Sequence, residues 1–393
     1  MKFIPEDLFH EIMKRIDSVR KYMRELSMNA LLVSSNSNIY YTTGRFFRGF
    51  VYIPLEGQPR WFVIKPETYD PESYISYIRK PELIPALLKE FGYEDPDTIG
   101  LEFDSATYSE VMRLSGLFPE SKLMNGSIPL RKSRMVKTVY EIKMMEEDGM
   151  HQSESYKRIP HCYRQGMTDL EFQIEIERVL RLEGCLGVIR TSGNLMEINL
   201  GSVIAGENAD EPGPYDFTMG GAGVDPSHPV GANGKTIRPG ETVMIDMNGT
   251  FNGYQTDMTR VWRLGEISDI AYRANECSRR ILRELEKLAR PGVPVADLYK
   301  RAIEIVNEEN LSEYFMGHRS QVAFIGHGIG IELNEPPVIM GKSKDILAKH
   351  MTIALEPKFV IPKIGAVGVE NSYVVEDDGL RNITEFPEEI KEL

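Results

Sequence analysis

The sequence predicts an α+β protein in two parts, a smaller α/β part followed by a larger part with internal repetition. Three observations lead there. The first 130 or so residues alternate short β-rich apolar runs with helical stretches. A turn-like and then basic stretch follows near residues 125–136. Beyond it, two helix-then-hairpin units occur in succession, and each hairpin carries two carboxylates. The boundary is set so that residues 1–131 form the first domain and 132–393 the second.

In the first domain, Ala30-Leu31-Leu32-Val33, Gly49-Phe50-Val51-Tyr52-Ile53, Trp61-Phe62-Val63-Ile64 and Thr98-Ile99-Gly100-Leu101 read as strands. Gly57 lies between the second and third, which predicts a hairpin. Leu8 to Leu26 and Ser105 to Ser115 read as helices. The cluster Arg131-Lys132-Ser133-Arg134 reads as a solvated linker. A long helix is predicted from about Thr138 to Arg158. Then Arg164-Gln165-Gly166-Met167-Thr168 leads into a helix ending near Gly184, with Thr168 and Glu171 spaced as a capping box. Arg290-Pro291-Gly292-Val293-Pro294 leads into a similar helix through about Val306.

The hairpins carry the chemistry. Asn-Gly is a strong hairpin signal. A two-residue turn at Asn252-Gly253 pairs Phe251 with Tyr254 and, counting back, Asn248 with Asp257. Asp246 then shares a face with Asp257 and is its diagonal neighbour. A turn at Asn248-Gly249 instead would separate them. In the second hairpin, a loop centred on Lys363 sets Glu356 opposite Glu370. Apolar neighbours flank both glutamates, and buried unpaired carboxylates are costly. Two divalent ions would balance four converging carboxylates, whereas one would leave two charges uncompensated. His327 sits between Gly326 and Gly328, which permit close backbone approach. One imidazole with several carboxylates suits Mn, Fe, Co or Zn.

Composition excludes several classes. The chain is 41% hydrophobic and 27% charged, as in ordinary soluble proteins. No apolar run approaches the roughly 18–20 residues a membrane helix needs. The start, Met1-Lys2-Phe3-Ile4-Pro5, lacks secretory-signal features, so a cytoplasmic location is expected. The net charge of −13, without a basic patch, argues against nucleic acid as a partner. The three cysteines, Cys162, Cys185 and Cys277, have no metal or CxxC spacing and read as reduced thiols.

Taken as one pattern, Asp246-x10-Asp257, Gly326-His327-Gly328, Glu356-Pro357 and Glu370 resemble the "pita-bread" metallopeptidases. That family includes methionine aminopeptidase, aminopeptidase P, prolidase and the non-metal relative creatinase. Met28 to Leu32 and Asn38 to Gly44 resemble the creatinase-like N-terminal domain of its prolidase/aminopeptidase P branch. The resemblance implies a pita-bread catalytic domain with a pseudo-twofold repeat. It further implies Xaa-Pro dipeptidase or aminopeptidase activity on short peptides, and a homodimer. Asp246, Asp257, His327, Glu356 and Glu370 would hold two divalent ions (Mn, Co, Zn or Fe), and a hydroxide bridging them would attack the scissile carbonyl. Glu356 would also accept the water's proton, and His228 would contact substrate near the reacting carbonyl. Asn334 and Tyr254 are the candidate residues on the substrate side.

Four positions depart from the pattern. Asn334 stands where a second His is usual, Gly368 where an Arg is, Asn371 in place of Asp, and Lys358 in place of Gly. Asn can donate a hydrogen bond to an oxyanion but cannot carry a proton as His does. Losing the Arg removes a cation that orients carboxylates. These changes predict preserved metal chemistry with altered substrate recognition. They keep open an alternative, a dinuclear-metal hydrolase or lyase of the same fold acting on a non-peptide small molecule.

Overall fold

The computed structural model describes residues 6–67, 74–193, 196–217 and 219–393. The chain forms two compact units, Met1–Arg134 with Ser192–Asn194, and Met135–Thr191 with Leu195–Leu393.

The first unit is built on a six-stranded mixed sheet. Its strands run in the order Ile75–Tyr77, Arg60–Lys65, Arg48–Pro54, Ala30–Val33, Thr98–Leu101, Lys122–Asn125. The hairpin across Gly57 is antiparallel, with Val51 opposite Trp61. Helices Glu6–Glu25, Asn36–Thr43, Ile84–Glu90 and Tyr108–Ser115 alternate with the strands. Leu32, Tyr52, Phe62, Ile99 and Phe118 fill one apolar core. The expected linker at Arg131–Arg134 is instead part of helix Ser127–Met135. Ser133 and Arg134 are buried there. The Arg134 guanidinium donates to Asn38 Oδ1 at 2.9 Å, and Ser133 Oγ lies 2.7 Å from Tyr41 Oη. Those partners take the polar groups out of solvent, which a basic four-residue pattern does not reveal.

The second unit consists of two halves of like construction. In the first half, strands Glu241–Gly249 and Thr256–Leu264 pair antiparallel, flanked by Gly201–Ala205 and Lys391–Glu392. Helices Val139–Lys157 and Asp169–Leu182 pack on them. Each helix starts with a complete capping box, at Thr138/Glu141 and Thr168/Glu171. In the second half, strands Glu335–Met340, Phe324–Gly328, Thr352–Leu355, Asn371–Glu376 and Gly379–Asn382 form one sheet, and the hairpin Lys358–Ile361/Gly365–Gly368 forms a separate two-stranded one. Helices Asp269–Leu288 and Val295–Glu308 cover both. The first of these helices buries Ala271, Ala274, Ile281, Leu282 and Leu285 on one face, with Ser278 among them donating to Pro357 O.

The carboxylate hairpins keep the predicted registers. Asn248 lies opposite Asp257, and Lys358 opposite Gly368, which continues to Glu356 opposite Glu370. The turn at Asn252-Gly253 differs, because pairing stops at Gly249–Thr256 and residues 250–255 form a wider loop. Tertiary contacts hold that loop open. Asn252 Nδ2 donates to Met144 O at 2.8 Å, and Tyr254 Oη donates to Glu141 Oε1 at 3.0 Å.

Below the same loop lies Asp148, fully buried, with neither oxygen making a full hydrogen bond. Burial pushes its carboxyl up to about 8, and the nearby amides of Phe251 and Asn252 offset only part of this. A carboxyl with a raised folded pKa contributes stability that is fully present below its unfolded pKa of about 4 and is lost as pH rises through the folded value. Asp148→Asn is therefore expected to gain stability over the parent between pH 5 and 9, by up to roughly 5 kcal/mol. Urea unfolding at pH 5, 7 and 9 measures this, and parallel profiles for the two proteins would refute it.

Candidate metal centre

A short contact joins the two halves at the site. Thr259 and Glu370 exchange backbone hydrogen bonds at 3.3 Å in both directions. The Thr259 hydroxyl also donates to Glu370 Oε2 at 2.8 Å. Ser372 Oγ accepts from Asp257 N at 2.8 Å and donates to Asp257 O at 3.0 Å. Arg260 is fully buried, and its guanidinium donates to Thr259 O and Glu370 O, both at 2.8 Å, and to Asn371 Oδ1 at 2.7 Å. Asn371 is therefore turned toward Arg260 and toward Tyr373 and Glu388, which its Nδ2 reaches at 3.1 and 3.0 Å. Together these bonds bring the strand bearing Asp257 against the strand bearing Glu370.

His327 reaches the same point from strand Phe324–Gly328. A Cβ on Gly326 would lie 2.2 Å from Ala354 O, and one on Gly328 2.2 Å from Pro336 O. Only glycines let the neighbouring strands come this close. The His327 Nδ1 lies 3.0 Å from Gly328 O. A carbonyl can only accept, so the ring proton of the neutral tautomer resides on Nδ1 and Nε2 keeps its lone pair. That nitrogen lies 3.7 Å from Glu356 Oε1.

Ligand atoms of Asp257, His327 and Glu370 lie within 4.8 Å of one another. Asp257 Oδ1 and Glu370 Oε1 are buried and have no hydrogen-bond partner. Burial, followed by the Glu370 and Asp246 charges, pushes Asp257 well above the usual carboxylate range. Burial also pushes Glu370 up, to about 8, against the opposing pull of Lys358. Two unpaired carboxylate oxygens close to an imidazole form a donor set that fits one borderline divalent ion.

The other predicted ligands face a different cation. Lys358 Nζ lies 2.8 Å from Asp246 Oδ2, 2.9 Å from Glu356 Oε2 and 2.7 Å from Glu370 Oε2. The residue is fully buried. Burial alone would lower its pKa, yet Asp246, Glu356 and Glu370 together hold it well above the ordinary lysine value. This corrects the sequence reading, which set Lys358 outside the ligand group. The signal was available, because Glu356 and Lys358 are two apart across the junction between strands Thr352–Leu355 and Lys358–Ile361, close enough for their side chains to meet. The charge count is corrected with it, since one countercharge to the four carboxylates comes from the chain itself.

These groups lie in the wall of a cavity of about 750 Å³. Asn334 also lines it. Two other predicted residues do not. Tyr254 is fully buried with its hydroxyl on Glu141. His228 is half-buried on the 223–230 loop, its Nε2 without a hydrogen-bond partner, and it is not part of the cavity wall. A loop histidine's direction depends on backbone turns that spacing does not report. The remaining lining mixes apolar side chains such as Met219, Met244, Phe324 and Met340 with the acids Asp210, Glu211 and Asp216. Lys358 is the single lysine or arginine among its described lining residues. All three cysteines are buried and free. No helix among the described residues is long and apolar enough to cross a membrane.

Comparison with known proteins agrees with this architecture. Residues 143–377 match metallopeptidase family M24, and residues 15–136 match the creatinase/prolidase N-terminal domain. The Xaa-Pro dipeptidase of Pyrococcus furiosus is 23% identical over 383 residues, covering 96% of this chain and 99% of that protein. Among solved structures, an Xaa-Pro dipeptidase from Bacillus anthracis superposes with a TM-score of 0.79 at 23% identity, covering 97% of this chain and 100% of the other. An X-Pro aminopeptidase from Thermotoga maritima gives 0.76 at 21% identity, covering 96% and 99%.

Proposed function

Because the chain belongs to metallopeptidase family M24, we propose that it is a metal-dependent exopeptidase of the Xaa-Pro aminopeptidase type. The observation that carries the reading is the set Asp257, His327 and Glu370 in the cavity wall, with two buried oxygens lacking partners. Asp257, His327 and Glu370 would hold the ion, which would supply Lewis acidity toward the scissile carbonyl and the attacking water. Glu356 is the proton acceptor, because Oε1 faces the His327 nitrogen while Oε2 is held by Lys358. Asn334 lends an amide donor to the developing oxyanion. His228 and Tyr254 have no role in this reading. The two-ion form of the chemistry, with a hydroxide shared between ions, is not carried over, since Lys358 lies among the ligands of the second ion.

The cavity's charges select the substrate. A dipeptide places its carboxylate one residue beyond the scissile bond, where a fixed cation would have to meet it. Lys358 is committed to three carboxylates. Of the wall acids, Asp210 is paired with His318 and Arg319 and Glu211 with Arg319, which leaves Asp216 to meet a cationic amino terminus. We therefore expect Xaa-Pro-Yaa peptides to exceed Xaa-Pro dipeptides in kcat/KM by at least about 10-fold, roughly the worth of one unpaired charge contact. Incubation of Mn- or Co-loaded protein with a peptide library, read by mass, tests this. No turnover of any peptide, with metal confirmed bound, would sink the peptidase reading. The same cavity favours one other substrate class, a neutral non-peptide amide, which the same screen would then be extended to cover. The reading also includes a cytoplasmic homodimer, which light scattering on the purified chain would check as to its subunit number.

A further inference from the structure

We infer that the Lys358 ammonium occupies one of the two cation positions of this centre, so that the protein binds a single divalent ion, at Asp257, His327 and Glu370. The inference rests on the metal-dependent reading above and fixes its stoichiometry. The ammonium makes three contacts of 2.7–2.9 Å, to Asp246, Glu356 and Glu370. A borderline ion bonded to those same oxygens would lie about 2.0–2.2 Å from each. It would overlap the ammonium nitrogen, and the two like charges would repel across the overlap. The lysine therefore excludes an ion from that position for as long as it points inward.

Its inward direction is built into the hairpin. Lys358 is the cross-strand partner of Gly368. Gly368 has φ +142°, and a Cβ there would lie 2.8 Å from Lys358 Cα and 3.2 Å from Lys358 Cγ. The missing side chain leaves room for the lysine stem. Two buried carboxylates, Glu356 and Glu370, and the partly exposed Asp246 hold its end, and a fully buried lysine has no solvent in which to relax. On the other side of Glu370, Oε1 stays unpaired, as does Asp257 Oδ1. Lys358 thus leaves one set of donor atoms free and fills the other.

Metal counting on the purified chain tests this without reference to activity. The chain is stripped, dialysed against excess Mn²⁺ and counted by mass spectrometry, and the bound Mn²⁺ is examined by paramagnetic resonance. One ion per chain with an uncoupled six-line spectrum is expected. Lys358→Gly should take up two ions with a spin-coupled spectrum. Two ions in the parent protein, none, or only one in a folded Lys358→Gly would overturn the inference. If Lys358→Gly does not fold, Asp246→Asn decides. It should keep the single ion with less than about a tenfold change in affinity, whereas loss of an ion would show that Asp246 is a ligand and the inference wrong. One bound ion without peptide turnover would count against the proposed function alone, and two ions with turnover against this inference alone.

Discussion

Lys358→Met is expected to lower the stability of the metal-free protein by about 3–5 kcal/mol, the cost of breaking a buried ion pair by removing one partner. Methionine matches the length and volume of the lysine stem, so the loss reports the ammonium rather than a cavity. Without it, Asp246, Glu356 and Glu370 keep their positions but lose the cation that each contacts at 2.7–2.9 Å. Burial and the neighbouring carboxylates already push Glu370 and Asp257 up, and removing Lys358 takes away an opposing charge, so their ionised forms cost more still. For a chain of 393 residues the loss corresponds to a fall in Tm of roughly 4–6 °C. Added Mn²⁺ should restore more of that loss in the variant than it adds to the parent, because a ligand that binds only the folded state stabilises it by mass action. Calorimetry of stripped and Mn-loaded samples measures both effects. A Tm within about 1 °C of the parent in metal-free buffer would mean that the ammonium is no countercharge at all.

How far the sequence discloses the site depends on the range of the interaction involved. Hairpin register follows from the position of one turn, so the loop centred on Lys363 was enough to set Glu356 opposite Glu370. The first hairpin kept its register even though its tip opened into a six-residue loop, because strand pairing and not the tip aligns Asn248 with Asp257. What the spacing could not disclose is why the hairpins meet. That depends on Ser372 bridging both backbone groups of Asp257, and on Arg260 spanning Thr259, Glu370 and Asn371. Neither Ser372 nor Arg260 stands out in the sequence. Lys358 and Gly368 stood out as two separate replacements on the substrate side. In the structure they face each other across one register and form a single arrangement, a lysine stem beside the space it needs. His228 shows the reverse case, a residue matched by spacing whose loop carries it away from the cavity wall.

Asp257→Ala is expected to strip the remaining ion and to reduce peptide hydrolysis by more than the roughly 100-fold that loss of an outer metal partner costs. Asp257 brings one of the two unpaired buried oxygens at the centre, and its backbone is pinned by Ser372 on both sides. The rest of the ligand set, His327 and Glu370, offers two atoms, too few to hold a borderline ion against bulk water. Stability should move the opposite way from affinity. Asp257 is buried and pushed well above the usual carboxylate range, so in the metal-free protein its removal relieves repulsion with Glu370 and Asp246. The metal-free variant should therefore melt no lower than the metal-free parent, while the gap between loaded and stripped parent disappears in the variant. Lys358→Met predicts the contrary pattern, a lower stripped Tm with a larger response to metal. Measuring both variants in both states separates a carboxylate that serves the ion from a lysine that replaces one. If Asp257→Ala lowered the stripped Tm and kept its ion, the assignment of Asp257 as a ligand would fail.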